Sequence, residues 1–188
     1  MQTKTKFIIF IVLVVVIIGG LGTYFALKPQ APGKLDQFAQ ALSQKAKFYG
    51  AFWCTHCQAQ KAEFGSSKKY LPYVECSNPD NTQTQICKDN KIEGYPTWMF
   101  QDGVKITSKS APLVCAIKTA TSVEPDACAG RSSEYYQTWI FDGYNFSIKS
   151  PTAPVQEGDV WKFPSTAQVT GENPLNFLAE QIGFVLPQ

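Results

Sequence analysis

The ten residues Phe48-Tyr-Gly-Ala-Phe-Trp-Cys-Thr-His-Cys constrain the fold more than any other part of this sequence. They form an apolar run of strand length that delivers Cys54 and Cys57, and residues three apart on a helix share a face. A helix starting at Cys54 therefore holds the two sulfurs one above the other, within disulfide reach. The first cysteine then sits among unpaired backbone N–H groups at the positive end of that helix, where thiolate is favoured over thiol. His56, the single histidine of the chain, lies between the two sulfurs, and its protonated imidazole would favour the thiolate further.

The remaining cysteines point to the compartment. Six cysteines, at positions 54, 57, 76, 87, 115 and 128, all follow an apolar N-terminal segment, and an even set on one side of a membrane suggests an oxidising environment. Residues 7–27 carry no charge and are long enough to cross a hydrocarbon core of about 30 Å as a helix. Lys4 and Lys6 precede this run, which predicts residues 1–6 in the cytoplasm and the rest outside, periplasmic or extracellular, although Lys28 and Lys34 weaken the asymmetry. The rival reading is a cleaved signal peptide, but the run exceeds a usual signal core and its exit has no small-x-small cleavage site. With a net charge of +2 and scattered lysines, no nucleic-acid partner is expected.

Taken in order, residues 28–46 read as a Pro/Gly linker and a short amphipathic helix with Leu35, Phe38, Ala39 and Leu42 at helical spacing. Residues 47–53 read as a buried strand, 54–64 as the dithiol helix, 71–76 as a second strand and 82–91 as a second helix capped by Asn81. This β-α-β-α alternation predicts a parallel sheet core. Pro96 stands immediately before Thr97-Trp-Met-Phe, where it opens a strand or sits on an edge, and a cis Tyr95–Pro96 bond suits that place.

Trp53-Cys-Thr-His-Cys, Pro72-Tyr-Val-Glu-Cys, Ile86-Cys-Lys and Gly94-Tyr-Pro-Thr-Trp together resemble the thioredoxin-like domain fused to, or partnered with, bacterial vitamin K epoxide reductase homologues. The resemblance is close over residues 47–98 and resumes at 161–188, where Trp161-Lys-Phe-Pro and the stretch from Thr170 to Phe184 are similar to the family's last strand and closing helix. It implies an α/β, thioredoxin-like fold with a large ordered insertion, residues 99–160, after the cis-proline strand. It also implies a thiol:disulfide oxidoreductase that acts on extracytoplasmic protein thiols or disulfides and needs no cofactor or metal beyond its cysteine pair. Cys54 would be the attacking cysteine, Cys57 the resolving one and Pro96 the cis-proline shaping a substrate groove, with Trp53, Thr55, Tyr95 and Thr97 along it. Cys76 and Cys87 match a second, structural pair. The family's membrane-embedded, quinone-linked reductase homologue would be a separate protein here, because this chain has one expected span. The chain also departs from the family in its inter-cysteine dipeptide, Thr55-His56 where Pro-His is usual.

Residues 99–160 are too long for a structureless loop in a compact domain. Cys115 and Cys128 fall within them and fit a short closed loop, and Asn145-Phe-Ser is a glycosylation sequon by pattern. Gln137-Thr-Trp-Ile-Phe-Asp-Gly echoes Pro96-Thr-Trp-Met-Phe-Gln-Asp-Gly, with Gln137 in the place of Pro96. Tyr135, Tyr136, Trp139, Tyr144 and Phe146 read as the insertion's core, with a substrate-binding surface as the alternative.

Other readings remain at this stage. Cys54 and Cys57 could instead form a static disulfide or half of a zinc site completed by Cys76 and Cys87. An oxidase forming disulfides in exported proteins, a reductase for cytochrome maturation or repair, and a non-catalytic adaptor binding a partner through the insertion differ in their expected dependence on Cys54.

Overall fold

The computed structural model describes residues 13–17, 19–20, 32–109, 113–115 and 137–188. The chain divides into two units, Met1–Pro32 and Gly33–Gln188. In the first unit, residues 13–17 and 19–20 are helical, and the remainder of the expected 7–27 anchor lies outside the described residues. Among the described residues, no helix is long and apolar enough to cross a membrane.

The second unit begins with α1 (Asp36–Lys45), whose start is tied by Gly33 N–H donating to the Asp36 carboxylate at 3.0 Å. Phe38, Ala39 and Leu42 bury one face of this helix, following the helical period of the sequence. The chain passes directly into β1 (Ala46–Gly50), then into α2 (Thr55–Glu63), a 3-10 turn (Gly65–Tyr70) and β2 (Tyr73–Glu75), which lies parallel to β1. A short helix, α3 (Gln85–Asp89), leads to β3 (Thr97–Phe100), antiparallel to β1 on its other side. Phe48 of β1 stacks on Trp98 of β3 at 4.6 Å between ring centres, and both side chains are fully buried. The core is built around this pair.

β4 (Val104–Thr107) and β5 (Leu113–Cys115) follow, then β6 (Gln137–Ile140), β7 (Ser147–Ser150), β8 (Val155–Glu157), β9 (Val160–Phe163), β10 (Gln168–Thr170) and α4 (Leu175–Ile182). The main sheet has seven strands in the order β2-β1-β3-β10-β7-β6-β5, and β4, β9 and β8 form a second sheet. The side-chain amide of Gln181 on α4 both accepts from Lys105 N–H (2.7 Å) and donates to Lys105 C=O (2.9 Å), tying the closing helix to β4.

Three expectations are corrected here. The sheet is mixed rather than parallel: among the described strands only β1 and β2 run parallel, because their βαβ crossover is followed by strands that return antiparallel. The strand beside β3 is β10, whereas Trp161-Lys-Phe lies in β9 and pairs with β4. Asn81 does not cap α3. It adopts a left-handed conformation (φ 64°) in a turn where Asp80 accepts from both Thr82 N–H and its hydroxyl, and a bridge between Ser77 and Gln83 keeps the chain extended, so the helix begins only at Gln85.

The region 99–160 is not an appendage. Its strands β5, β6 and β7 extend the main sheet through the β7–β10 pairing, so the described fold is thioredoxin-like with extra strands in the same sheet. The expected Cys115–Cys128 pairing rests on Cys128, which lies outside the described residues, as do Tyr135 and Tyr136.

Candidate functional site

The dithiol sits where β1 hands over to α2. Cys54 N–H donates to Ala51 C=O (3.0 Å), turning the chain, and Cys54 becomes the N-cap of α2 with its carbonyl accepting from Gln58 N–H (3.1 Å). Its sulfur accepts from Cys57 N–H at 3.1 Å, one of the donors a helix start leaves unpaired. Cys54 and Cys57 are joined as a disulfide, with Cα atoms 5.2 Å apart. Cys57 is fully buried and Cys54 is 7% exposed, so Cys54 is the sulfur that an external thiolate can reach. Gly50 makes room behind them: a Cβ there would stand 2.9 Å from both the Cys57 sulfur and Tyr73 Cε2.

The loop before the dithiol is held by residues at the end of β2. Glu75 Oε1 accepts from the N–H groups of Phe52 (3.1 Å) and Ser77 (3.0 Å), and Glu75 Oε2 accepts from the Tyr73 hydroxyl (2.9 Å). Ser77 Oγ in turn accepts from the Trp53 indole N–H (2.8 Å), and the indole meets Tyr95 edge-on. Lys61, one turn beyond Cys57 on α2, places its ammonium 3.1 Å from the centre of the Tyr73 ring. Burial lowers the Lys61 pKa, partly offset by Glu75, and burial together with the Glu75 hydrogen bond pushes the Tyr73 hydroxyl well above its usual range. Glu75, Tyr73, Lys61 and Ser77 were not marked as site residues by the sequence. The available signal was a carboxylate and a tyrosine inside a short apolar strand, where a charge needs partners.

His56 is solvent-facing, and its Nδ1 lies 2.5 Å from Glu172 Oε1. The ring is thus tethered by a carboxylate 116 positions away, just before α4. Gln60, fully buried on α2, anchors that segment: its side-chain amide donates to Asn173 C=O (2.9 Å) and accepts from Asn173 N–H (2.7 Å).

Tyr95–Pro96 is cis, and Pro96 C=O accepts from Gly171 N–H at 2.9 Å. Trp53, Thr55 and Tyr95 line a hollow of about 360 Å³ with Cys54 and His56, and Pro96 lines an adjoining cleft. Thr97 is a correction: it is fully buried, and its hydroxyl donates to Gly94 C=O (2.8 Å) and meets Thr170 Oγ1 (2.9 Å), so it does not reach the groove. β3 lies between β1 and β10, so neither of its edges is open to an incoming chain.

Cys76 and Cys87 form a second disulfide, fully buried, which takes away the second cysteine pair that a zinc site would need. Among the described residues, no group of three or more His, Cys, Asp or Glu is placed to hold a metal ion.

Residues 34–116 match the thioredoxin family. The chain is 52% identical over 65 residues to the thiol-disulfide oxidoreductase LTO1 of Arabidopsis thaliana, covering 31% of this chain and 17% of that protein. It is 38% identical over 82 residues to a thioredoxin domain-containing protein 5 homolog of Drosophila melanogaster, covering 40% of this chain and 20% of that protein. The chain therefore spans a fifth or less of the length of these relatives. Residues 34–116 are thus similar to thioredoxin, and the Cys54–Cys57 disulfide lies within the matched stretch.

Proposed function

We propose that the chain is a membrane-anchored, extracytoplasmic thiol:disulfide oxidase that forms disulfides in exported proteins. The observation that carries this reading is the placement of Cys54: a reachable sulfur at a helix N-cap, bonded to a fully buried partner. A substrate thiolate attacks Cys54 Sγ, the Cys54–Cys57 bond breaks, and Cys57 leaves as a thiolate that takes up a proton. A second substrate thiolate then attacks the substrate sulfur of the mixed disulfide, and Cys54 departs as a thiolate favoured by the helix terminus. Two electrons pass from the substrate dithiol, which becomes a disulfide, to the Cys54–Cys57 pair, which becomes a dithiol.

A separate membrane protein of the vitamin K epoxide reductase type, passing electrons to quinone, would restore the disulfide. The uncharged run at 7–27 supports an anchor. Because β3 has no open edge, substrate backbone pairing falls to Tyr95, which has no strand partner and adjoins the dithiol hollow.

Equilibration with glutathione tests the direction. A reduction potential less negative than the roughly −270 mV of thioredoxin is expected, together with iodoacetamide labelling of reduced Cys54 below neutral pH. A potential at or below thioredoxin's would reject the oxidase in favour of a reductase. Fractionation with membranes and exposure of the domain to external protease would support the anchor, and recovery in the soluble cytoplasm would reject it.

A further inference from the structure

The extra strands bring their own surface to the dithiol. The turn between β6 and β7 stands opposite α2 and Pro96, and between them lies a cleft of about 580 Å³ that begins beside His56. A second cleft, of about 890 Å³, shares Tyr95, Tyr144, Asn145, Phe146 and Gly171 with the first, so the two form one trough along the inserted turn. Each is within the size range of a binding site for a small ligand or a few side chains.

The end nearest the cysteines is acidic. Glu63 and Glu172 both line it; no lysine or arginine does, and its one basic side chain, His56, is engaged by Glu172. Glu63 receives a single side-chain hydrogen bond, from Gln60 (3.0 Å), and its carboxyl is held above the usual range, first by burial and then by the neighbouring Glu172. Asn173 forms the floor of this end of the cleft. It is fully buried and lines the same cleft, and its Nδ2 donates to Gly171 C=O (2.8 Å). Its Oδ1 is enclosed and has no hydrogen-bond partner among the described residues. Across the cleft, Tyr144 and Phe146 present an aromatic wall. Carboxylates facing aromatic rings suit a guanidinium or ammonium group, which donates several hydrogen bonds and packs on a ring face.

We propose that this trough selects substrates, and that it favours extended polypeptide segments carrying an arginine or lysine close to the cysteine that attacks Cys54. This rests on the thiol–disulfide reading above and names its substrate class. The inserted turn is a specificity element, and Glu63 is a positioning residue for the substrate rather than a participant in electron transfer.

The test uses the full-length protein in its disulfide form and two dithiol peptides of equal length, one with arginine and one with glutamate beside the first cysteine. The arginine peptide should be oxidised roughly tenfold faster at low salt, the scale of one charge-assisted hydrogen bond, and the preference should shrink as salt is raised. Glu63→Gln should bring the ratio of the two rates towards one. If Glu63→Gln does not fold, the salt dependence of the unaltered protein decides. Equal rates for the two peptides in the unaltered protein, or a preference insensitive to salt, would overturn this inference and leave the proposed function standing. If neither peptide is oxidised at all, the proposed function falls and this inference with it.

Discussion

The two disulfides of the described domain are built from the same bond and set in opposite surroundings. Cys54–Cys57 closes three positions at the start of a helix, and Cys54 opens onto a hollow lined by Trp53 and Tyr95. Cys76–Cys87 closes eleven positions, both sulfurs are fully buried, and they pack with Tyr49 and Ile92 in a small cluster of their own. The Cα separations are 5.2 and 5.5 Å, so overall span does not set the pairs apart. Placement does. A helix N-terminus and a route to solvent favour exchange at one sulfur, and apolar enclosure shields the other pair from it.

The largest expected effect is the sharpest split between these regions. Cys54→Ser should abolish disulfide exchange, whereas the double replacement Cys76→Ala and Cys87→Ala should keep the exchange and lose about 2–3 kcal/mol of unfolding free energy in urea. Retained exchange in the Cys54 variant would break the comparison and favour a non-catalytic adaptor, and so would loss of exchange in a folded Cys76/Cys87 double variant. A smaller effect is expected at Gly50. Gly50→Ala brings a methyl group against the Cys57 sulfur and the Tyr73 ring, each 2.9 Å away, and overpacking of this kind costs about 1–3 kcal/mol. Urea midpoints of the oxidised and reduced forms would show it. An unchanged midpoint in both would mean that the space behind the dithiol gives way more easily than the structure implies.

The smallest effect concerns the carboxylate beside the exchangeable pair. Burial raises the Glu63 pKa, so the fold favours the protonated form. That stabilisation is complete below the unfolded-state pKa and is lost as pH rises through the folded one. Glu63→Gln should therefore be slightly more stable than the unaltered protein at neutral pH, with the difference shrinking towards acid. Urea midpoints measured at both ends of that range check the sign, and a Glu63→Gln protein less stable at neutral pH would refute it.

The parts legible from sequence were those written in short, periodic patterns. The strand-to-helix handover at Cys54, the amphipathic face of α1 and the special place of Pro96 all depend on neighbours within a few positions. Where longer reach was needed, reading from sequence went astray. Asn81 looks like a helix cap, but Asp80 and the Ser77–Gln83 bridge claim that turn first. Thr97 adjoins Pro96 in sequence, yet the register with Thr170 turns its hydroxyl into the sheet. The echo between Thr97-Trp-Met-Phe and Thr138-Trp-Ile-Phe is real at the level of local structure, since each is followed by a turn with a left-handed glycine, Gly103 or Gly143. Only the first copy lies next to the dithiol, because β3 adjoins β1 while β6 lies three strands further out.

By itself, the sequence determined the chemistry of the reactive pair: two cysteines at helical spacing, after a buried strand and with a histidine between them. Tertiary structure alone decided what surrounds that pair. It brought Glu172 to His56, placed Glu75 and Ser77 under the preceding loop, and set the inserted β6–β7 turn across the cleft from α2. The reason is physical. Local patterns are set by backbone geometry over one or two turns, whereas these neighbours depend on strand order and register, which follow from how the whole core packs.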